Sequence, residues 1–377
     1  MSWDERIAAE FEPYSGELSR QHSLPELIAA FIQEQKQSWP LLRNGSDTLE
    51  KAEIRRLDIP GAVPSFVYVQ YNPGRIRSTA AAVDKTSVAS RPCFLCVENL
   101  PPEEKSIAYG SDLVITCNPF PVLPNHLSIL ERRHVPQQIE SRLESMLALA
   151  HDLGPEYFVL YNGPRCGASA PDHFHFQACA RSNLPIEEDL RRSQARPGEP
   201  IQEMKPGLRA RLITEGREHL REDGWFPRGA IKTDAPTPTD SVASIVLATG
   251  SRGTVVVRSA GPRALASELS RVVEALRLQT GKDDEPMINI VAVFEDGEWK
   301  VFLFPRARHR PACFYAEGNE RLLVSPGAID MAGVIVMPDR EEFLRIAPEQ
   351  IRRIFSEVSL DLSSIQQAAT GDRTVAP

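Results

Sequence analysis

The stretch His173-Phe-His175-Phe-Gln177 sets two imidazoles and an amide at alternate positions. On a strand, alternate side chains share a face, so these three groups line one side while Phe174 and Phe176 take the other. Before them runs the loop Asn162-Gly-Pro-Arg-Cys-Gly-Ala-Ser-Ala-Pro-Asp172, in which Gly163, Pro164 and Gly167 interrupt a strand over 157–161. The water-facing side of a strand ordinarily carries Thr, Lys or Glu. Two imidazoles and an amide behind a glycine-rich loop describe an anion site instead. The chemistry on offer is nucleophilic: a neutral imidazole attacks well near pH 7, and loop amides supply donors to phosphoryl oxygens.

A second group is Arg91-Pro-Cys93-Phe-Leu-Cys96. A Cys-x-x-Cys turn can point two thiolates at one tetrahedral metal; a redox pair and chance spacing are the alternatives. A redox pair wants a helix starting at the first cysteine of a βαβ unit, and Glu98-Asn-Leu-Pro-Pro102 reads as loop. Zinc is the better reading, and it needs two further ligands, for which His134 and His173 are available. With His173 on the metal, His175 is left free. A third group is the turn Asn72-Pro-Gly-Arg75-Ile-Arg77-Ser-Thr79. By composition it is a solvated turn, and it gains a phosphate-binding reading only beside the histidine strand. The basic cluster Arg306, Arg308, His309 and Arg310 is likewise solvated surface by default, with a phosphate contact as the alternative. His126, among apolar neighbours, reads as a structural histidine of a sheet, and Cys166 and Cys179 as core or loop residues.

The elements that must position these groups come in two series. Ser23-Leu-Pro-Glu26 is a capping box, and the helix after it runs out at Trp39-Pro40. Strands at 66–71, 113–117 and 126–130 precede a helix periodic in Ile139, Leu143, Met146, Leu147 and Ala150 that ends near Gly154. Strand, turn, strand, helix, strand, loop, strand predicts an antiparallel sheet with a helix across it. The order recurs in strands at 244–248 and 254–258, a helix on Leu265, Leu269, Val272, Val273 and Leu276 capped at Gly281, and a hairpin of 288–294 and 299–304 across Asp296-Gly297. Asn162 to His173 and Asn289 to Lys300 have equal spacing, which sets Lys300, Phe302 and Phe304 against His173, His175 and Gln177 unless the match is chance. Between the series, 183–206 reads as a charged crossover, irregular or partly helical. Leu208, Leu212 and Leu220 suggest a helix to about residue 222, and 228–240 is loop or linker. Pro348 opens a helix on Ile351, Ile354, Phe355 and Val358.

Composition narrows the class. The 377 residues leave room for two or three domains, and 42% hydrophobic with 25% charged residues is ordinary for a soluble chain. A net charge of −8 argues against non-specific binding to nucleic acid or an anionic membrane. Six cysteines in this length are not a disulfide framework. Met1-Ser-Trp-Asp-Glu carries no basic-then-apolar leader, and no apolar run is long enough to span a bilayer. The expected location is cytoplasmic.

These motifs together resemble the branch of the histidine-triad superfamily that holds galactose-1-phosphate uridylyltransferases, diadenosine-tetraphosphate phosphorylases and GDP-hexose phosphorylases. Tyr161-Asn-Gly-Pro, Gly167-Ala-Ser169 and His173-Phe-His175-Phe-Gln177 look like that branch's Asn-x-Gly, Gly-Ala-Ser and His-x-His-x-Gln signature. Pro124-Asn-His126-Leu-Ser-Ile-Leu-Glu-Arg-Arg-His134 looks like the strand that precedes it. Gln70-Tyr-Asn-Pro-Gly-Arg75 followed by Cys93-Phe-Leu-Cys96 is similar to the uridylyltransferase N-terminus, and the stretch from Phe302 to Ser356 to the distal half of GDP-hexose phosphorylases. The Arg-Pro-Cys-Phe-Leu-Cys and His-Phe-His-Phe-Gln motifs are shared with a bacterial family. Coverage is most of 66–182 and thinner beyond.

The resemblance implies nucleotidyl transfer through a covalent nucleotidyl-histidine. His175 would be the nucleophile, and Gln177, standing where hydrolytic relatives have a third histidine, a donor to phosphate oxygen. Asn162, Gly167 and Ser169 would line the phosphate loop, with Asn72, Arg75 and Arg77 as further substrate contacts. Cys93, Cys96, His134 and His173 would hold a structural zinc. Two departures stand out: Ser169 is one residue further from the histidines than in the phosphorylases, and Asp172 beside the first histidine either orients an imidazole or repels a phosphate.

The expected fold is α+β, a histidine-triad-like antiparallel sheet with packed helices in two related lobes, the first catalytic and the second degenerate. The expected divisions are a helical extension over 1–62, a catalytic lobe over 63–182, a crossover and linker over 183–240, a second lobe over 241–362 and a tail over 363–377. The expected activity is a nucleotidyltransferase or phosphorylase acting on a nucleotide sugar or dinucleoside polyphosphate, with phosphate or a sugar phosphate as acceptor. Hydrolysis of the same bonds and a catalytically inactive nucleotide sensor are the alternatives. The expected partners are these small molecules, with no nucleic acid or membrane, in a pseudo-dimeric monomer or a homodimer.

Overall fold

Helix caps, turn residues and apolar periodicity set the local elements, and strand pairing assembles them into two sheets. The computed structural model describes residues 2–13, 23–60, 65–76, 85–181, 184–194, 211–214, 217–219, 241–280 and 284–370. Strand β1 (Ile7–Phe11) is followed by α1 (Leu24–Ser38), α2 (Pro40–Glu50), β2 (Glu53–Ile59) and β3 (Ser65–Tyr71). The capping box is formed: Ser23 Oγ accepts from the Glu26 N–H at 3.4 Å and Glu26 Oε2 from the Ser23 N–H at 3.2 Å. A short helix α3 (Lys85–Ala89) leads to β4 (Ser106–Tyr109), β5 (Leu113–Cys117), β6 (Leu127–Glu131), α4 (Leu143–Leu153), β7 (Tyr157–Asn162) and β8 (His175–Ala180).

The crossover carries α5 (Pro185–Gln194), β9 (Arg211–Thr214) and β10 (Arg217–His219). The helix expected on Leu208, Leu212 and Leu220 is not what the described part of that stretch forms. Leu212 lies in β9, which pairs parallel to β2 opposite Ile54, while Leu208 and Leu220 lie outside the described residues. Three leucines are too few to separate a helical period from a short paired strand. The second series is β11 (Val242–Thr249), β12 (Arg252–Ser259), α6 (Pro262–Thr280), β13 (Ile288–Glu295) and β14 (Glu298–Pro305). Asp296 and Gly297 both have positive φ, 53° and 76°, the pair a tight primed hairpin turn requires. Helix α7 (Ala328–Met331), β15 (Val334–Met337), α8 (Arg340–Arg345), α9 (Pro348–Val358) and α10 (Leu362–Thr370) complete the chain. Gly281 and the linker over 228–240 lie outside the described residues.

The ten-stranded sheet runs β1-β4-β5-β6-β8-β7-β13-β14-β12-β11. From β5 inward the order 5-6-8-7 mirrors 11-12-14-13 across the β7–β13 seam, where Asn162 stands directly opposite Asn289. The repeat is therefore present as topology, but its register departs from the spacing: Leu160 faces Gln177 and Asn289 faces Phe304, which sets Phe304 rather than Phe302 against His175. All pairings in this sheet are antiparallel except β1 with β4. A second sheet, β10-β9-β2-β3-β15, was not expected; it joins β3 parallel to the distal β15.

The large sheet buries both faces. Helices α1, α4, α6 and α10 cover the face that carries Phe174, Phe176, Val301 and Leu303. The small sheet with α5, α7, α8 and α9 covers the other, where Cys179, Phe302 and Phe304 point. Asp189 of α5, fully buried, gathers Ser65 Oγ, Thr249 Oγ1 and Arg252 at 2.7, 2.7 and 3.0 Å, tying the small sheet to the end of the large one. An ion pair this deep acts as a joint, because losing either partner strands the other charge away from water.

Candidate active site

The site lies on the face of the large sheet that looks toward the small sheet. Alternation places His175, Gln177 and Cys179 there while Phe174 and Phe176 enter the opposite core. His173 is not part of the strand. The ladder begins at His175, and His173 sits in a turn closed by its N–H to the Ala170 carbonyl at 3.3 Å. That offset lets the two imidazoles serve different places.

His175 is 4% exposed. Its Nδ1 lies 2.9 Å from the His173 carbonyl, an acceptor only, so Nδ1 carries the proton. Nε2 is left with its lone pair and makes no hydrogen bond among the described residues. Burial pushes the imidazole down to about 4, against the opposing pull of that carbonyl, so the ring is neutral at pH 7. The backbone is clamped by a residue the sequence reading missed. Gln137, 1% exposed, accepts from the His175 N–H at 2.8 Å and donates to the carbonyls of His175 and Asn162 at 2.9 and 3.0 Å. Nothing in the residues around His134 marks Gln137 out, because its burial is set by the fold.

His126 does more than fill a sheet. Its Nδ1 accepts from the Val122 N–H at 3.3 Å, which leaves Nε2 as the donor to Gln177 Oε1 at 2.7 Å. Burial, reinforced by the Arg75 charge, pushes His126 down to about 3 and keeps this tautomer neutral. With its oxygen engaged, Gln177 has its amide N–H pair free among the described residues. Arg75 is close enough to act electrostatically on His126, Cys179 and Asp330. Asn72, 3% exposed, is occupied structurally: Oδ1 accepts from the Gly74 N–H at 3.1 Å and Nδ2 donates to the Pro121 carbonyl at 3.0 Å. Arg77 lies outside the described residues. A cavity of about 380 Å³ opens beside His126, between the α1–α2 pair and the 117–126 turn, with Ile32, Leu42, Gln70 and Asn118 in its wall.

The loop after β7 is held against the second lobe. Gly167 has φ +114°, and a Cβ there would come within 2.9 Å of both Asn162 Oδ1 and the Gly327 Cα. Asn162 Oδ1 accepts from the Ala328 N–H at 2.8 Å and from Asn289 Nδ2 at 2.9 Å. Ser169 gives its carbonyl to Arg91 at 3.1 Å, and its hydroxyl bonds nothing among the described residues. Arg306 departs from the solvated-surface default. It is 4% exposed and its guanidinium is enclosed by backbone carbonyls and Asn289. Arg308 of the same cluster is exposed, and His309 and Arg310 are half-buried around Ser325.

Cys93, Cys96, His134 and His173 come together as expected, their ligand atoms all within 4.8 Å of one another. Cys93 Sγ lies 3.4 Å from His173 Nδ1, and Cys96 Sγ 3.1 Å from His134 Nδ1 and 3.5 Å from His173 Nδ1. A tetrahedron with metal bonds of roughly 2.3 Å to sulfur and 2.0 Å to nitrogen has sulfur–nitrogen edges of about 3.5 Å, so the four atoms fit one ion. The outer contacts agree. His173 Nε2 donates to the Glu131 carbonyl at 2.8 Å, turning the Nδ1 lone pair toward the cysteines. Asp172 lies 3.9 Å from His134 Nε2 and 3.8 Å from Arg91, beside the metal ligands. Beside Cys93, and without a cation, burial pushes the Cys96 thiol up to about 12; an ion would reverse that.

Residues 31–180 match a family model described as a domain of unknown function (DUF4922), and residues 254–370 one described as the GDPGP1-like C-terminal domain. No curated protein matches the chain. Among solved structures the chain is similar to yeast Ap4A phosphorylase Apa2 in complex with Ap4A, at 16% identity and TM-score 0.49 over 90% of this chain and 98% of that one. A further structure of Apa2 matches at 17% identity and TM-score 0.47, over 87% and 94%. An ADP-glucose phosphorylase from Arabidopsis thaliana with bound ADP-glucose matches at 13% identity and TM-score 0.30, over 78% and 96%. The GDPGP1-like match contains the stretch from Phe302 to Ser356 that resembles the distal half of GDP-hexose phosphorylases, and it supports that branch of the histidine-triad superfamily for this chain.

Proposed function

We propose that the protein is a nucleotide phosphorylase working through a nucleotidyl-His175 intermediate. The observation that carries the reading is the state of His175: a buried, neutral imidazole with Nδ1 tied to the His173 carbonyl and Nε2 open, beside a Gln177 amide whose donors are turned outward by His126. Nε2 attacks the α-phosphorus of a nucleotide sugar or dinucleoside polyphosphate. The nitrogen–phosphorus bond forms as the phosphorus–oxygen bond to the sugar phosphate or polyphosphate breaks, and the leaving oxygen keeps the electron pair. Inorganic phosphate or a sugar phosphate then attacks from the vacated side, and the pair returns to Nε2. Gln177, Asn162, Ser169 and Arg75 are the donors for the phosphoryl oxygens, and the N–H of Gly167 is the loop's own contribution. An amide at position 177 cannot relay a proton from water, which favours a phosphorylated acceptor over hydrolysis.

The cavity beside His126 is of the size of a small-molecule site, about 300–1,000 Å³, and is the place for the nucleoside. The metal group is assigned to zinc, held by Cys93, Cys96, His134 and His173. In a closed four-ligand site its contribution is structural: it pins the 91–96 turn and the start of β8 to the segment after β6.

The test is incubation with dinucleoside tetraphosphates and with ADP-, GDP- and UDP-glucose, with and without inorganic phosphate. Turnover is expected to need phosphate, to yield a labelled, acid-labile enzyme in a rapid quench, and to fall at least about 10³-fold in His175→Ala. Turnover that survives His175→Ala would sink the assignment.

A further inference from the structure

We propose that Asn289 and Arg306, in the lobe that lacks a nucleophile, are positioning residues for the transfer reaction: they fix the Asn162 carboxamide so that its N–H donors face the substrate. This rests on the reading of the His175 site given above.

Which end of an asparagine amide is nitrogen is ordinarily open to inversion. Here the direction is dictated from Arg306, because a guanidinium has five N–H donors and no acceptor. All five are used. Nε donates to the Val358 carbonyl at 3.1 Å, one terminal nitrogen to Asn289 Oδ1 and the Pro326 carbonyl, and the other to the carbonyls of Arg308 and His309 at 3.2 and 3.0 Å. Asn289 must therefore turn its oxygen to Arg306 and its nitrogen the other way. That nitrogen donates to the Cys166 carbonyl at 2.6 Å and to Asn162 Oδ1 at 2.9 Å. The Ala328 N–H, a backbone donor that cannot invert, meets the same Asn162 oxygen at 2.8 Å.

Two donors thus converge on Asn162 Oδ1, and its N–H pair bonds nothing among the described residues. The carboxamide also has no room to swing, since a Cβ on Gly167 or Gly327 would lie 2.9 Å from that oxygen. Asn162 and Asn289 are direct partners in the β7–β13 ladder, so a chain of two amides crosses the seam with one polarity. Gln137 bonds the carbonyls of both Asn162 and His175, which holds the amide and the nucleophile in one frame. An inverted Asn162 would present an oxygen where phosphoryl charge develops, turning a stabilising contact into a repulsive one.

Asn289→Asp isolates the effect. The carboxylate fits the site and pairs with Arg306, but it has only acceptors and must face Asn162 with an oxygen. The measurements are kcat and KM with the substrate turned over by wild type, calorimetric affinity for AMP, GMP and UMP, and Tm. Expected are a kcat about 10²-fold lower, with KM and the affinity for whichever nucleotide wild type binds little changed, and a Tm lowered by the loss of the Cys166 contact. Arg306→Lys and Arg306→Gln form a second pair. Both lose carbonyl contacts and lower Tm, but lysine donates only, whereas glutamine can present either end. Arg306→Lys should keep kcat within about fivefold of wild type and Arg306→Gln should fall with Asn289→Asp. A folded Asn289→Asp enzyme with kcat within about twofold of wild type overturns the proposal. So do equal kcat losses in the two Arg306 variants, which decide the matter if Asn289→Asp does not fold. A wild-type protein with no turnover on any of these substrates counts against the phosphorylase reading instead.

Discussion

At His175 burial keeps the ring neutral, and a backbone carbonyl decides which nitrogen is left open. The His173 carbonyl accepts from the Nδ1–H, and burial holds the ring at about 4 against an ordinary 6.5. A nucleophile is lost on protonation, so the acid limb of kcat/KM should fall near pH 4, well below that of an exposed imidazole. A pH–rate profile checks this, and a limb at the ordinary value would mean that water reaches the ring. The histidines, Gln177 and the two cysteines were legible because their residue types are rare and close in sequence. Gln137 and the work of His126 were not, because a buried amide or imidazole is read from what surrounds it. Arg306 was misread for the same reason: in sequence it is one of four basic residues, and in space it is the one enclosed by carbonyls.

At the scale of elements, the metal group would tie the 91–96 turn to His134 and His173, which flank the paired ends of β6 and β8. Purified protein should contain close to one zinc per chain, and its removal by a strong chelator should lower Tm, because binding energy at a site the unfolded chain lacks is folding energy. Cys96→Ser should do the same without chelator. Elemental analysis with thermal unfolding settles it; a Tm indifferent to chelation would leave the four residues without a structural ion. The strongly patterned elements, such as α9 and the β13–β14 hairpin, followed from sequence, since their caps, turns and periodicity lie within a few residues of each other. The small sheet did not. Strands β9 and β15 are four residues each, and their partners, like those of β2, are set by distant contacts rather than local pattern.

At the scale of the molecule, the lobes meet in the large sheet along the β7–β13 seam, with Glu285 beside it. Glu285 accepts from the Tyr161 hydroxyl at 2.7 Å and from the Ile139 N–H at 2.6 Å, bridging the start of β13 to the first lobe. Burial raises its carboxyl to about 7 from an ordinary 4.5. The folded chain then holds a proton that the unfolded chain releases between those values. The stabilising effect is full below pH 4.5 and is lost as pH rises through 7. Denaturant unfolding at pH 5 and 8 should show wild type losing more stability on this rise than Glu285→Gln does. Equal losses would place the carboxyl in water.

The parallel pairing of β3 with β15 sets Tyr68 beside Val334. The turn that carries Arg75 leaves the end of β3, where the Asn72 N–H donates to the Met337 carbonyl at 2.9 Å and Asn72 Nδ2 to the Pro121 carbonyl at 3.0 Å. During synthesis the motif that runs from Asn162 to Gln177 is made long before β15, which completes that support. The support beneath Arg75 is thus among the last parts of the small sheet to be made.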